Sequence, residues 1–168
     1  MSLGAGAAGI ACKSSGESSI DPRPVLIVTG LPQEARIASG PGMIVICSSS
    51  DPQQLRALLA TLDSSTFRGV VSFGVAGGLD PSLRTGDIVV ATEVMAGDSR
   101  FLADMALNEE MIASATLKRS RMIRRRRRVV RGGLAGVERI VAARACKAAL
   151  HSETGAAAVD MESHIAAA

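Results

Sequence analysis

Aromatic residues are almost missing from this sequence. Its 168 residues include no tryptophan, no tyrosine and three phenylalanines, at Phe67, Phe73 and Phe101. Proteins that hold single-stranded nucleic acid stack its bases on aromatic side chains, so a nucleic acid partner is not expected. The core must instead be built from alanine, valine, isoleucine, leucine and methionine.

Cysteine and histidine are also scarce. The three cysteines, Cys12, Cys47 and Cys146, lie far apart without a Cys-x-x-Cys motif, which excludes a disulfide framework and a cysteine zinc site. They are expected to pack as small apolar residues. His151 and His164 are isolated, and we expect them on helix surfaces rather than at a metal site.

Long apolar runs are absent as well. No stretch reaches the roughly eighteen consecutive apolar residues of a transmembrane helix, and the N-terminus lacks the basic start and long apolar core of a signal peptide. Together with the cysteine pattern, this leads us to expect a cytoplasmic protein.

The positive charge is confined to one segment. The formal net charge is +3, but residues 118–131 hold nine of the nineteen lysines and arginines and no acid, so ten basic residues face sixteen acidic ones elsewhere, a net of −6. The run Arg124–Arg128 has two interpretations. It could contact an anionic partner, either nucleic acid or, weakly, a membrane surface, where each arginine contributes up to about 1 kcal/mol. Alternatively, it could be a solvated variable segment.

Strands and helices alternate after a leader. Residues 1–22 are rich in glycine, alanine and serine and predict a flexible leader before one domain over residues 23–168. Hydrophobic patterning predicts strands over 25–29, 43–47, 69–73, 87–91, 133–137 and 156–161. It predicts helices from Pro52 (capped by Asp51), over 101–120, over 142–151 and from Glu162. This alternation indicates an α/β fold with a largely parallel central sheet.

The last predicted helix stops without a cap or a following strand. We therefore expect that the C-terminal part of the domain is missing from this chain.

Three segments fall at the carboxyl ends of strands, where ligands bind in parallel α/β sheets. Residues 74–78 are small and would let a ligand approach backbone amides, although a tight turn would look the same. In Asp160-Met161-Glu162, a carboxylate could accept two hydrogen bonds from a ribose diol, or Glu162 could merely favour the helix N-terminus. Glu34 could be a general base for water, or a first-turn helix charge.

Together these segments resemble the nucleoside phosphorylase/nucleosidase superfamily, over roughly residues 24–168. The resemblance is closest to the hopanoid-associated phosphorylase branch. In that branch Thr-Gly-Leu…Glu-Ala, Ser-Phe-Gly-x-Ala-Gly-Gly-Leu-Asp-Pro and Ala-Val-Asp-Met-Glu-Ser-His occur in the same order as here.

The resemblance implies a three-layer α/β sandwich that cleaves the N-glycosidic bond of a purine nucleoside with a 5′-substituent, of the adenosylhopane type, and releases adenine. By resemblance, Glu162 holds the ribose hydroxyls and stabilises the developing cation, while Glu34 positions water or ligand. The other residues expected at the substrate are Gly74, Val75, Ala76, Gly77, Asp160 and Met161. A homodimer is implied, with no metal or cofactor and with phosphate as a co-substrate in the phosphorylases.

Three departures from the family pattern bear on activity. The family's purine-protonating aspartate lies in an Arg-x-x-Ser-Asp segment beyond the last residue of this chain. Where phosphorylases hold phosphate with an arginine and a serine, this sequence has Ser72 and Val75, so hydrolysis and phosphorolysis both stay open. The strand at 133–137 lacks the polar residues that nucleosidases carry nearby, for which Glu138 could compensate.

Two other functional classes stay open. The chain could be a catalytically inactive nucleoside-binding domain, or it could bind an anionic surface through its arginine run. The second alternative predicts binding that weakens steeply with salt.

Overall fold

The computed structural model of the protein describes residues 21–117 and 128–168. Within them the chain forms eight strands and five α-helices. In chain order these are β1 Val25–Thr29, α1 Pro32–Ala38, β2 Met43–Cys47, α2 Pro52–Ala60, β3 Gly69–Ser72, β4 Gly77–Gly78, β5 Ile88–Ala96, β6 Ser99–Leu102, α3 Met105–Leu117, β7 Val129–Gly136, α4 Arg144–Thr154, β8 Ala158–Asp160 and α5 Ser163–Ala167. Residues 1–20 of the predicted leader, and Arg124–Arg127 of the arginine run, lie outside the described residues.

β1 is the centre of a three-stranded parallel sheet of order β2-β1-β3. Val25 pairs with Met43 on one side and with Gly69 on the other, so the three strands end at the same edge. All five residues of β1 are buried, which explains its unbroken apolar, β-branched sequence. The predicted bounds of β1 and β2 are confirmed, and β3 ends one residue before its predicted end, at Ser72.

The other strands form a five-stranded sheet of order β4-β8-β7-β5-β6. β5, β7 and β8 are parallel, and β4 and β6 join its two edges antiparallel. Helix α5 packs against β3 of the first sheet and against β5 and β7 of the second. The predicted α/β class is confirmed, with the parallel strands divided between two sheets.

The helix predicted over residues 101–120 begins too early. Ser99–Leu102 form β6, which pairs antiparallel with the end of β5. Gly97 makes the hairpin turn, with a φ of +55° that glycine adopts without strain. The helix begins after Asp104, because the Asp104 carboxylate accepts a hydrogen bond from the Leu107 amide at 2.8 Å and so satisfies a free amide of the first turn.

Partner strands and caps change other predicted bounds. β5 and β7 are both longer than the predicted 87–91 and 133–137, because they pair with each other along most of their length. β8 is shorter than the predicted 156–161. Helix α4 continues past residue 151 and ends at Gly155, which has a φ of +70°, the usual left-handed glycine at a helix end.

The core is mainly aliphatic, as the composition predicts. One buried cluster lies in the second sheet and another joins β1, α2 and α5; their members are Leu79, Met95, Ala135, Ala156 and Val159, and Val28, Leu55 and Ile165. Phe67 is a buried aromatic residue. Cys47 is half-buried but Cys146 is exposed, so the expectation that the cysteines pack is wrong for Cys146, which lies on the solvent side of α4. Cys12 lies outside the described residues. None of the described helices is long and apolar enough to cross a membrane.

The start of α2 is the predicted one. The Asp51 carboxylate accepts hydrogen bonds from the Gln53 amide at 2.8 Å and the Gln54 amide at 3.2 Å, and Pro52 occupies the first turn. The cap places Leu55, which is fully buried, against the first sheet.

We expect Asp51→Ala to lower the free energy of unfolding by about 1 kcal/mol, because two amides lose their acceptor. Urea denaturation measures the change. The matched control is Asp98→Ala, since Asp98 is exposed in the β5–β6 turn. Equal losses in the two variants would contradict a capping role for Asp51.

Candidate functional site

Glu34 joins the start of α1 to the residues that follow β3. It is 9% exposed. Its Oε2 accepts a hydrogen bond from the Leu31 amide at 3.0 Å, and its Oε1 accepts one from the Val75 amide at 2.9 Å. The first bond is the usual one of a glutamate at the third position of a helix, whereas the second reaches a separate segment. Glu34 therefore serves the helix and also lies at the predicted glycine segment.

Two glycines allow carboxylates to approach the backbone closely. A β-carbon on Gly74 would lie 3.0 Å from both carboxylate oxygens of Glu34. A β-carbon on Gly30, which is buried just after β1, would collide with the carboxylate of Glu162. Because β1 and β3 are neighbours in one parallel sheet, Glu34 and Glu162 are brought to the same edge of that sheet.

Glu162 reaches this edge from the other sheet. It follows β8, occupies the N-terminal cap of α5 and is half-buried. Burial raises the pKa of Glu162 above its ordinary value, and the negative charges of Asp160 and Glu34 raise it further. His164 acts in the opposite direction. This part of the structure is therefore strongly negative, which suits a positively charged group and repels an anion.

Asp160, the last residue of β8, is bonded to protein groups. Its carboxylate accepts hydrogen bonds from the Ser163 amide at 3.3 Å and from the Ser163 hydroxyl. Burial raises the pKa of Asp160, and these hydrogen bonds oppose the rise. A contact between Asp160 and substrate stays a prediction.

The other predicted site residues lie in different surroundings. Val75 is 86% exposed beside the Glu34 carboxylate, and Ala76 next to it is also exposed. Met161 is half-buried between the two acidic residues of its segment. Gly77 pairs with Val159 where β4 meets β8, so it lies within the second sheet. Their roles in binding stay predictions.

His164 is not the surface histidine that the sequence suggested. Its side chain is 10% exposed, because it packs closely over Gly136, where a side chain would leave no room. Its Nε2 lies 3.2 Å from the Glu138 carboxylate, which also pairs with Arg56 at 2.7 Å. Arg56 and His164 both lower the pKa of Glu138. Glu138 is therefore engaged by these two partners.

No group of three histidine, cysteine, aspartate or glutamate side chains within 21–117 and 128–168 is arranged to hold a metal ion. That the reaction needs no metal and no cofactor stays a prediction.

Several residues of the site were missed in the sequence. The three-residue spacing from Asp160 to Ser163 is a known capping pattern and could have indicated that pair. Gly30 closes the first strand and gave no sign that it faces Glu162.

Comparisons with known proteins agree with this fold. The sequence profile of the phosphorylase superfamily matches residues 24–168, and no curated protein sequence matches the chain. One similar structure is the 5′-methylthioadenosine/S-adenosylhomocysteine nucleosidase of Neisseria meningitidis, in complex with methylthio-immucillin-A. It has a TM-score of 0.70 and 20% identity over 86% of this chain and 78% of that one.

Two further structures are similar. The corresponding nucleosidase of Colwellia psychrerythraea 34H, in complex with adenine, has a TM-score of 0.68 and 20% identity over 88% of this chain and 76% of that one. A futalosine hydrolase mutant of Helicobacter pylori strain 26695 has a TM-score of 0.67 and 17% identity over 89% and 84%. The likeness shows a shared fold, and with the profile match over residues 24–168 it follows that this chain belongs to the phosphorylase superfamily.

Proposed function

We propose that the protein hydrolyses the N-glycosidic bond of a purine nucleoside and releases adenine. Its membership of the phosphorylase superfamily supports this reaction class, as do the names of the similar nucleosidases and of the futalosine hydrolase. The observation that carries the proposal is the pair of carboxylates, Glu34 and Glu162. They come from the two sheets and meet at one strand edge, against the backbones of Gly74 and Gly30.

Glu162 is the group that stabilises the transition state. Breaking the bond between ribose and base leaves positive charge on the ribose, and a fixed carboxylate is most effective where water is partly excluded. The half-buried position of Glu162 meets this condition. Its oxygens can accept hydrogen bonds from the ribose hydroxyls, while Met161 packs against the sugar.

Glu34 is the group that activates the nucleophile. Each of its oxygens accepts one backbone amide, and a carboxylate oxygen can accept a second hydrogen bond. The remaining acceptor positions can take a proton from a water molecule beside Gly74. The backbone bonds hold the carboxylate in place, as general base catalysis requires.

Water suits this site better than phosphate does. A phosphate anion would meet the negative charges of Glu34, Asp160 and Glu162, and the charges of Asp160 and Glu34 already raise the pKa of Glu162. At the two positions where the resemblance expects phosphate to be held, the Ser72 hydroxyl has one proton to donate. The Val75 side chain has none. These features support hydrolysis rather than phosphorolysis.

Adenine release from a 5′-alkylthioadenosine, followed by chromatography with and without phosphate, tests this proposal. We expect equal rates in the two conditions. Release that depends on phosphate would overturn hydrolysis. Adenine binding without turnover, by folded protein, would instead support the nucleoside-binding domain without catalytic activity.

The substrate that we propose carries an apolar 5′-substituent, of the adenosylhopane type. Apolar side chains follow β1 and β3 at the edge where the two carboxylates meet, and Leu31, Phe73 and Val75 are 45%, 41% and 86% exposed. Such a group of exposed apolar residues suits an apolar ligand.

A series of 5′-alkylthioadenosines with longer chains tests the substituent. We expect KM to fall about fourfold per added methylene while the chain stays in contact, from about 0.8 kcal/mol for each CH₂ removed from water. Val75→Ser should weaken this trend. Leu102→Ser should not, because Leu102 is equally exposed on β6. A KM that does not change with the length of the alkyl chain would contradict an apolar 5′-substituent.

Gly30→Ala should reduce activity about a hundredfold, because a displacement of about 1 Å in a catalytic group has that effect. The new β-carbon would push on the end of the flexible Glu162 side chain, so stability should change little. Gly40→Ala is the matched control, since its β-carbon would lie 3.9 Å from the Met43 sulfur. Unchanged activity in Gly30→Ala would show that Glu162 does not need its present position.

The acid-side midpoint of the activity profile should lie above pH 4.5, the ordinary pKa of a glutamate. The reason is that the pKa of Glu162 is raised and that its ionised carboxylate is the active form. The folded protein holds this proton more tightly than the unfolded chain, so stability should fall as pH rises through the same window. The pH profile of kcat/KM measures the first effect. An acid midpoint below 4.5 would contradict it.

The proposal also includes a homodimer in the cytoplasm, working without metal or cofactor. We expect activity to survive dialysis against a chelator. We also expect native mass spectrometry to give a mass twice that of the chain.

A further inference from the structure

The first turn of α5 carries side chains to both sheets. The Glu162 carbonyl accepts hydrogen bonds from the Ile165 amide at 3.1 Å and the Ala166 amide at 3.0 Å, so Glu162 belongs to this turn. Its carboxylate lies against Gly30, directly after β1 of the first sheet. Side chains two residues apart on a helix do not face each other, so His164 leaves the turn on a different side.

His164 attaches that other side of the turn to the second sheet. Its ring packs over Gly136, the last residue of β7, where a β-carbon would lie 2.8 Å from Nδ1. Its Nε2 lies 3.2 Å from a carboxylate oxygen of Glu138. An ionised carboxylate only accepts hydrogen bonds, so Nε2 carries the hydrogen and donates it.

The hydrogen bond to Glu138 is what orients the His164 ring. Nδ1 is buried and has no hydrogen-bond partner within residues 21–117 and 128–168. The side chain as a whole is 10% exposed, so water contributes little to holding it. Loss of the Glu138 bond would therefore leave the ring without a polar contact in this part of the chain.

Glu138 is itself held by α2. The carboxylate oxygen that accepts from His164 also accepts a hydrogen bond from the Arg56 guanidinium at 2.7 Å. The preceding residue, Leu55, packs with Ile165 of α5 in one buried cluster. Both side chains of the pair between Arg56 and Glu138 are exposed, and exposed ion pairs add little stability. The effect of this pair is therefore to place the Glu138 carboxylate within reach of His164.

We propose that His164 is a positioning residue, which clamps the first turn of α5 to the end of β7 and so holds the Glu162 carboxylate against Gly30. β8 fixes the chain before Glu162 and His164 fixes it after. The inference rests on the proposed function for its kinetic test, but not for its spectroscopic test.

Two substitutions of His164 separate the hydrogen bond from the bulk of the ring. The amide nitrogen of glutamine is four bonds from the α-carbon, as is Nε2 of histidine, so His164→Gln can still donate to Glu138. The amide nitrogen of asparagine is three bonds away, as is Nδ1, so His164→Asn does not reach Glu138. We expect His164→Gln to retain the function that His164→Asn loses.

The first test reads the position of Glu162 by NMR and needs no catalysis. The chemical shift of the Gly30 amide is followed as pH changes, and the part that Glu162→Gln abolishes reports the Glu162 charge. Glu34 on α1, Asp160 on β8 and His164 on α5 also act on Glu162, and subtracting the Glu162→Gln profile removes their direct effects on Gly30. We expect His164→Gln to keep the Glu162 part and His164→Asn to lose most of it, because the effect of a charge falls with distance.

An undiminished Gly30 shift in His164→Asn would overturn the proposal, and so would an equal loss in His164→Gln. If His164→Asn does not fold, Glu138→Ala replaces it, because it removes the acceptor at an exposed position. The matched control is Glu153→Ala, at an exposed position of α4, which should leave the shift unchanged. A full shift in Glu138→Ala would equally overturn the proposal.

The second test is kinetic. We expect kcat per folded molecule to fall about tenfold to a hundredfold in His164→Asn, the effect of displacing a catalytic group by up to about 1 Å, and His164→Gln to recover most of that loss. An unchanged kcat in His164→Asn would contradict the positioning role. If the wild type releases no adenine, the proposed function fails, and the Gly30 shift still decides whether His164 holds Glu162.

Discussion

Glu162→Gln is expected to lower the rate of adenine release by about a hundredfold to a thousandfold, the usual loss when one electrostatic stabiliser of a transition state is removed. Glutamine keeps the size of the side chain but not its charge, and the charge is what acts on the ribose as the glycosidic bond breaks. The half-buried setting of Glu162 strengthens that interaction, because less water screens it. Chromatography under saturating nucleoside measures kcat, and a binding titration measures affinity separately.

The matched control for Glu162→Gln is Glu153→Gln, at an exposed position of α4. The control should keep full activity. Burial and the nearby charges of Asp160 and Glu34 disfavour the ionised form of Glu162. Glu162→Gln should therefore also be at least as stable as the wild type. A variant that folds and keeps more than half of the activity would remove Glu162 from the mechanism.

Glu34→Gln is the second large effect, and we expect the rate to fall by about a hundredfold to ten-thousandfold, as on loss of a general base. The structure adds a loss of stability. The glutamine oxygen can accept the Val75 amide or the Leu31 amide, but its NH₂ group then faces the other donor, and a buried unsatisfied group costs about 1–3 kcal/mol. Rate per folded molecule, determined beside urea denaturation, separates the two losses.

The two roles of Glu34 predict different outcomes for this variant. If Glu34 only begins α1, Glu34→Gln loses stability and keeps its rate per folded molecule. If it also activates water, both fall. The second outcome is the one that we expect from the proposed role of Glu34 beside Gly74 and the Val75 amide.

Local patterns in the sequence predicted the parts of the fold that local forces determine. The buried strand β1 and the start of α2 at Asp51 match their predicted bounds, since burial of an apolar run and a capping carboxylate act over a few residues. The β5–β6 hairpin was missed because a strand partner, rather than periodicity, extends β5. Its turn at Gly97 is a single glycine, a weak signal by itself.

In the candidate site, too, the local features could be predicted and the long-range ones could not. The segments around Glu34, Gly74 and Glu162 could be found in the sequence, because small residues and carboxylates after apolar strands are a recognisable pattern. The contacts between them could not. The Glu34 bond to the Val75 amide and the close approach of the Glu162 carboxylate to Gly30 join segments far apart in the chain, and only the packing of the two sheets brings them together.

The identity of the sugar product tests the central claim most directly. The protein is incubated with a 5′-alkylthioadenosine in phosphate buffer, and the products are identified by mass spectrometry. Hydrolysis at the Glu34 and Glu162 site predicts adenine with an equal amount of the free 5-substituted ribose. A sugar 1-phosphate, or no adenine from folded protein, would contradict it.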